Sequence, residues 1–161
     1  MPADGLARAR WIALLVPLGL MAGALGSQYI GGLYPCEMCH WQRWPHYAAI
    51  VVAAASFAVK PRHAVLPLVL LAGALVAVSG AIGVFHAGVE YHWWQGITPC
   101  TAAAGKGQSG MDLINAISRG PLVRCDAPQW TLWGISLAGF NAMISLAGAA
   151  AVFVLALRKG R

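Results

Sequence analysis

Four cysteines occur in this chain of 161 residues, and all four lie outside its long apolar runs. Cys36 and Cys39 form a C-x-x-C at the mouth of an apolar stretch, followed closely by Gln42 and Arg43. Cys100 and Cys125 lie far apart in the longest polar stretch. Cysteine reacts as a thiolate, and local electrostatics control how much thiolate is present. Cys39 stands at the expected start of a helix, where unpaired N–H groups and the helix dipole favour an anion. Arg43 follows one turn later on the same face. A reactive pair at the mouth of an apolar segment, with a second pair in a loop, points to electrons moving between a water-facing disulfide and an acceptor in a membrane.

The elements that must position these thiols are apolar. The chain is 59% hydrophobic and 10% charged, against about 25% charged residues in ordinary soluble domains. A soluble protein of this length could not bury so much apolar side chain and still clothe its surface, so lipid is the expected solvent. The formal net charge of +6 would elsewhere suggest nucleic acid. Here the basic residues flank apolar runs, and membrane orientation is the first reading. No Ser- or Gly-rich linker and no internal repeat divides the chain, so residues 1–161 form a single membrane domain.

Spanning a hydrocarbon core of roughly 30 Å takes about 20 helical residues. Four runs qualify, at about 11–30, 41–59, 64–85 and 131–157, leaving outer loops at about 31–40 and 86–130. The second run is the weakest, with Gln42, Arg43 and His46 in its first turns. Pro45 and Pro67 are expected near helix starts, where a missing N–H costs least. Pro17 lies deeper and is expected to bend the first helix. Gly19 and Gly23 have the G-x-x-x-G spacing that allows close helix approach, although Gly and Ala are scattered through all four runs. The expected fold is all-α: an integral membrane four-helix bundle. Ser109-Gly110-Met111-Asp112 reads as a helix start. Met111, Ile114 and Ile117 then suggest a short amphipathic surface helix in the second outer loop, ended by Gly120-Pro121.

Arg8, Arg10, Lys60, Arg62, Arg158, Lys159 and Arg161 flank the runs on one side, with Asp4 as the only acid there. The positive-inside rule makes that side cytoplasmic and places all four cysteines outside, where disulfides persist. A cleaved signal peptide ending near Ala24-Leu25-Gly26 is the alternative for the first run. That run exceeds a typical signal h-region, and cleavage would remove one helix of a short bundle.

Rival readings of the cysteines exist. Cys36-Glu37-Met38-Cys39-His40 has the C-x-x-C-H form of c-type haem attachment. It would leave Cys100 and Cys125 without a role and the haem with little protein to cover it. A four-cysteine zinc site is disfavoured by the 24 residues between Cys100 and Cys125. A membrane scaffold with purely structural disulfides is a further alternative. Arg43 either faces protein, water or a ligand, or snorkels to the headgroups.

Cys36-x-x-Cys39-x-x-Gln42-Arg43 opening the second of four membrane helices, with a later spaced cysteine pair, resembles the DsbB family of bacterial disulfide-forming membrane proteins. Phe85-His86-Ala87-Gly88-Val89-Glu90 and Cys125-Asp126-Ala127-Pro128-Gln129-Trp130 are also similar to that family. The resemblance implies a thiol:quinone oxidoreductase of the bacterial inner membrane, with ubiquinone or menaquinone as acceptor and a soluble periplasmic DsbA-like protein as partner. It implies that Cys36 and Cys39 are the membrane-proximal redox pair, with Cys39 facing the quinone. Cys100 and Cys125 would be the distal disulfide, with Cys100 attacked by the partner. Arg43, with Gln42 beside it, would lie against the quinone. A histidine after the third helix is also implied, and both His86 and His92 could serve. A related oxidase serving one dedicated partner fits the same residues.

Overall fold

The computed structural model describes residues 3–98, 111 and 123–158. Four long helices dominate it: α1 (Ala3–Tyr29), α2 (Glu37–Ala58), α3 (Arg62–Glu90) and α4 (Leu137–Leu157). Two short strands, β1 (Thr131–Leu132) and β2 (Ile135–Ser136), pair antiparallel just ahead of α4, with Thr131 opposite Ser136. The expected surface helix around 109–119 lies outside the described residues, as do Cys100, Lys159 and Arg161.

Three of the helices are long and apolar enough to cross a membrane, over Gly5–Tyr29, Arg62–Glu90 and Leu137–Leu157. The 22 residues of α2 reach about 33 Å at the helical rise, but its first half carries Gln42, Arg43 and His46. All three of these are buried, so their polar groups face protein rather than lipid. The first three helices run longer than their apolar runs because capping, and not hydropathy, ends them. After α1, Gly31 and Leu33 bond back to the carbonyls of Gly26 and Ser27, and Gly32 turns the chain with φ 68°. Tyr91 and His92 close α3 in the same manner, His92 taking φ 60° while the Trp93 N–H bonds the Gly88 carbonyl at 2.8 Å.

Two expectations are corrected. Residues 131–136 are not helical: Trp133 (φ 51°) and Gly134 (φ 78°) make the tight turn of a hairpin. The helix starts only at Leu137, where the Ser136 hydroxyl accepts the Gly139 N–H. The second helix begins at Glu37, so Pro45 sits two turns inside it.

Packing follows the small residues. A Cβ added at Gly73 or Gly80 would come within 2.9 Å of Val152 or Leu146, and one at Gly83 within 3.1 Å of the Ala138 carbonyl and the Ala142 nitrogen. The tight seam is therefore between α3 and α4. At Gly19 and Gly23 of α1 an added Cβ meets nothing within 4 Å, so the G-x-x-x-G is not a close-approach seam. Both glycines line a cavity.

The helices alternate in direction, which sorts the two ends. Arg10 of α1 donates to the Ser56 carbonyl of α2 at 2.7 Å and lies over the Phe57 ring. Gly5 abuts the Leu155 carbonyl of α4. Arg8, Arg10, Lys60, Arg62 and Arg158 thus share one end of the bundle, and Cys36, Cys39 and Cys125 the other. Gly83→Val should push the α4 backbone from α3 and cost about 1–3 kcal/mol. Thermal unfolding in detergent should show a lower Tm, and an unchanged Tm would contradict the tight α3–α4 approach.

Candidate redox site

Pro35 and the extended backbone of Cys36 (φ −76°, ψ 174°) bring the chain into α2 with Cys36 as its N-cap. In place of the usual oxygen, the Cys36 sulfur accepts the Cys39 N–H at 3.3 Å. The two sulfurs are 2.9 Å apart, and both cysteines are free thiols. Cys36 is buried and Cys39 half-buried. Both stand at the N-terminal end of α2, ahead of its first buried polar residue, Gln42.

One proton shared between two close sulfurs separates their acidities. Donation from Cys36 to Cys39, then burial, pushes the Cys36 thiol above its ordinary range. Cys39 is pulled below its ordinary range, chiefly by accepting that hydrogen bond, with the Arg43 charge as a smaller contribution. The shared proton thus favours thiolate character at Cys39 over Cys36.

Cys125 is disulfide-bonded and fully buried. It packs with Cys36, Met38 and Val89 in one buried cluster, with Cys39, Phe85 and Val123 against it. Two contacts bring its segment over the pair: the Gln129 amide donates to the Tyr34 carbonyl at 2.6 Å, and Arg124 clamps Asp126 at 2.8 Å across the turn. That surface ion pair pulls the Asp126 carboxyl below its ordinary range.

His86, a turn from the end of α3, sets its Nε2 3.5 Å from the Cys36 sulfur and its Nδ1 2.7 Å from the Gln42 amide. A backbone hydrogen bond also ties it to Cys125. Glu90 follows one helical turn on, its carboxylate 3.7 Å from His86 Nε2 and its second oxygen buried without a partner. Arg43 is buried and turned to α1, donating to the Gln28 side chain and to the Ala24 carbonyl at 3.1 Å. It does not reach along the helix to the headgroups.

Beside the pair lies a cavity of about 340 Å³, walled by all four helices, the Tyr34–Cys36 segment and the stretch from Arg124 to Trp130. Cys36, Cys39, Gln42, Arg43, His46, His86 and Glu90 all line it. His92 is exposed and is not among the lining residues. His40 is also exposed and is not among the lining residues. Asn141 was missed in the sequence, and His46 and Glu90 were named there without a role. Asn141 and His46 could have been found as isolated polar groups within apolar runs, which in a membrane mark functional sites.

Cys36, Cys39 and His86 each offer one ligand atom within 4.8 Å of the others, so a metal is geometrically conceivable. A ligating Nε2 needs its lone pair free. Here the Gln42 N–H occupies Nδ1, which leaves the ring proton on Nε2.

A buried dithiol capping a membrane-type helix, packed against a disulfide-bonded cysteine, defines a membrane protein of thiol–disulfide redox chemistry. The comparisons make the class specific: the family model for the disulfide bond formation protein DsbB matches residues 7–155, and the chain belongs to that family. Relatives named Disulfide bond formation protein B include one from Polaromonas sp. (strain JS666 / ATCC BAA-500), 31% identical over 91% of this chain and 88% of its own. That from Neisseria gonorrhoeae (strain ATCC 700825 / FA 1090) is 29% identical over 87% of this chain and 88% of its own. That from Acidovorax sp. (strain JS42) is 29% identical over 89% and 83%. No solved structure matches the chain. The protein is thus a disulfide-forming oxidoreductase of the membrane.

The shared proton makes a measurable claim. In Cys36→Ala the Cys39 sulfur loses its strongest stabilising donor, so its pKa should rise. The pH profile of Cys39 alkylation by iodoacetamide should move to higher pH than in the reduced wild type. A profile left in place would mean that Cys36 is not the donor.

Proposed function

We propose that the protein reoxidises a soluble periplasmic DsbA-like dithiol protein and passes the electrons to a membrane quinone, ubiquinone or menaquinone. One observation carries the reading: Cys36 packs on the disulfide-bonded Cys125 and, with Cys39, lines the cavity, which the Cys125 segment also reaches through Arg124 and Ala127. Cys125 packs on Cys36 but does not line the cavity, whereas Cys36 and Cys39 do.

The residues divide the work in sequence. Cys100 and Cys125 form the distal disulfide, and a thiolate of the reduced partner attacks Cys100, releasing Cys125 as thiolate. Cys125 attacks Cys36 in the oxidised inner pair, and Cys39 leaves as thiolate. The partner's second thiolate then attacks its own sulfur in the partner–Cys100 disulfide, which leaves the partner oxidised and releases Cys100 as thiolate. Cys100 attacks Cys125 in the Cys125–Cys36 disulfide, and Cys36 leaves in turn. Two electrons have reached the inner pair at this point, and the distal disulfide is restored. A quinone supplies a two-electron, two-proton acceptor outside thiol chemistry. The cavity suits its head group: largely apolar walls, space beside Gly19 and Gly23, and the Arg43 guanidinium near the Cys39 thiolate. Arg43 orients and polarises a carbonyl oxygen there, and Cys39 delivers the electrons. His86 belongs to this site by its contacts with Cys36 and Gln42.

The setting is the bacterial inner membrane, crossed four times, with both termini cytoplasmic and the cysteines periplasmic. Basic residues gathered at the end away from the cysteines support that orientation.

Purified protein mixed with reduced DsbA-like substrate and a quinone, with quinone absorbance followed, tests the whole route. Cys39→Ser should abolish turnover while leaving the helices folded, and retained turnover would overturn the assignment. Cys125→Ser should trap a mixed disulfide through Cys100, whereas Cys100→Ser should form none, as non-reducing gels would show.

In the same assay Arg43→Ala should raise the apparent quinone KM about tenfold to a hundredfold, the worth of one charge-assisted hydrogen bond. Arg43→Lys should be intermediate, since it keeps the charge but loses the planar fork. An unchanged KM in Arg43→Ala would remove this residue from the acceptor site.

A further inference from the structure

A directional chain of hydrogen bonds runs from α4 to the thiols. Asn141 in α4 is held at both ends of its amide. Its oxygen accepts from the Ser145 hydroxyl at 3.1 Å and stands 2.9 Å from His46 Nε2. Its nitrogen faces the Ser79 backbone carbonyl at 3.3 Å, which can only accept. That nitrogen also donates to the Gln42 oxygen at 2.8 Å. The Gln42 nitrogen must then point the other way, and its two hydrogens have two acceptors: the Met38 carbonyl at 3.2 Å and His86 Nδ1 at 2.7 Å. Nδ1 is thus an acceptor, and the proton of a neutral imidazole sits on Nε2. Nε2 is the ring nitrogen that faces the Cys36 sulfur, at 3.5 Å, where the Cys125 backbone and the Glu90 carboxylate at 3.7 Å also draw on its proton.

We propose that Asn141 is a positioning residue which, through Gln42, locks His86 in the Nε2–H tautomer so that His86 donates a hydrogen bond to the Cys36 sulfur. The inference rests on the thiol-exchange reading above and assigns His86 to one step of it. When Cys100 attacks Cys125 in the Cys125–Cys36 mixed disulfide, the Cys100–Cys125 bond forms and the Cys125–Cys36 bond breaks. The electron pair of the broken bond goes to Cys36, which leaves as a thiolate. A fixed N–H aimed at that sulfur stabilises the developing charge without moving a proton. The opposite tautomer would aim a lone pair at it. The geometry also explains why two uncharged amides are buried in the path: each has a donor end and an acceptor end, so together they transmit an orientation.

Asn141→Asp removes the donor and keeps the size. The Gln42 amide then turns its nitrogen to residue 141 and its oxygen to His86, and the ring proton moves to Nδ1. Gln42→Glu does the same in one step, since a carboxylate can only accept from Nδ1.

The test is nitrogen NMR of histidine-labelled protein in detergent, with the His86 signals assigned by loss in His86→Gln. The wild type should show a bare Nδ1 and a protonated Nε2 at His86, and both variants should show the reverse. This measurement needs neither partner nor quinone, so it stands apart from the functional reading. Rapid mixing with reduced DsbA-like substrate supplies the second readout. Thiol appearance on Cys36 and Cys39 should slow about tenfold in Asn141→Asp, the worth of one hydrogen bond to a charged group. The reversed His86 tautomer, read in the same variant, is the signature that general loosening of the bundle would not produce. A protonated Nδ1 in the wild type, or a wild-type tautomer and exchange rate in both variants, would overturn the proposal. A normal tautomer pattern with no partner-driven reduction of the wild type would sink the functional reading alone.

Discussion

Polar groups inside an apolar bundle must satisfy one another, and that constraint organises this protein. Gln42, His46, Ser79, His86, Asn141 and Ser145 come from three helices and meet in one connected network. Leaving one such group buried and unpaired costs about 1–3 kcal/mol, comparable with the gain from one well-packed side chain. Water cannot relieve that cost at membrane depth. The network therefore dictates the rotation of α2, α3 and α4 about their axes. Once those rotations are set, Cys36 and Cys39 have only one place to go, at the end of α2 beneath the Cys125 segment.

The small residues follow from the same requirement. The Asn141 contacts with the Ser79 carbonyl and hydroxyl at 3.3 Å need α3 and α4 close together, and Gly83 provides room at the level of Asn141. Between α1 and the remainder the opposite holds, because space is left beside Gly19 and Gly23 and becomes the cavity. Arg43 bridges that gap by reaching across to Gln28 and Ala24. Its burial costs little in this position because the guanidinium keeps protein acceptors while part of it fronts the cavity. One face of the bundle is thus closed by glycine and another is held open by it.

Much of this was legible in the residues. C-x-x-C followed by Gln42-Arg43 announced a thiolate site, since the spacing alone puts both cysteines and the arginine in the first turns of a helix. The four apolar runs located the four helices. What escaped had physical reasons. Residues 131–136 read as the start of an apolar run because Leu132, Trp133 and Ile135 are hydrophobic, but hydropathy cannot see that Trp133 and Gly134 take positive φ. Gly19 and Gly23 read as a packing motif because spacing does not say whether a neighbour fills the groove. The choice between His86 and His92 was beyond spacing too. The two are six residues apart, and only the end of α3 at Tyr91 separates a buried ring on the helix from an exposed one beyond it.

The burial of the thiol pair gives the route its direction. A Cys36 thiol pushed above its ordinary range and a Cys39 thiol pulled below it are not two equivalent sulfurs. In the proposed route, attack from the water side meets Cys36, which packs against Cys125, and electrons leave from Cys39, which lines the cavity together with Arg43. The asymmetry arises from backbone geometry: Cys36 caps the helix with its sulfur, and Cys39, three residues on, receives the shared proton bond and the helix N-terminal field. Exchanging the two residue positions would exchange the roles. A C-x-x-C at a helix N-terminus is therefore directional by construction, and the bundle needs only to place one sulfur toward the disulfide and the other toward the cavity.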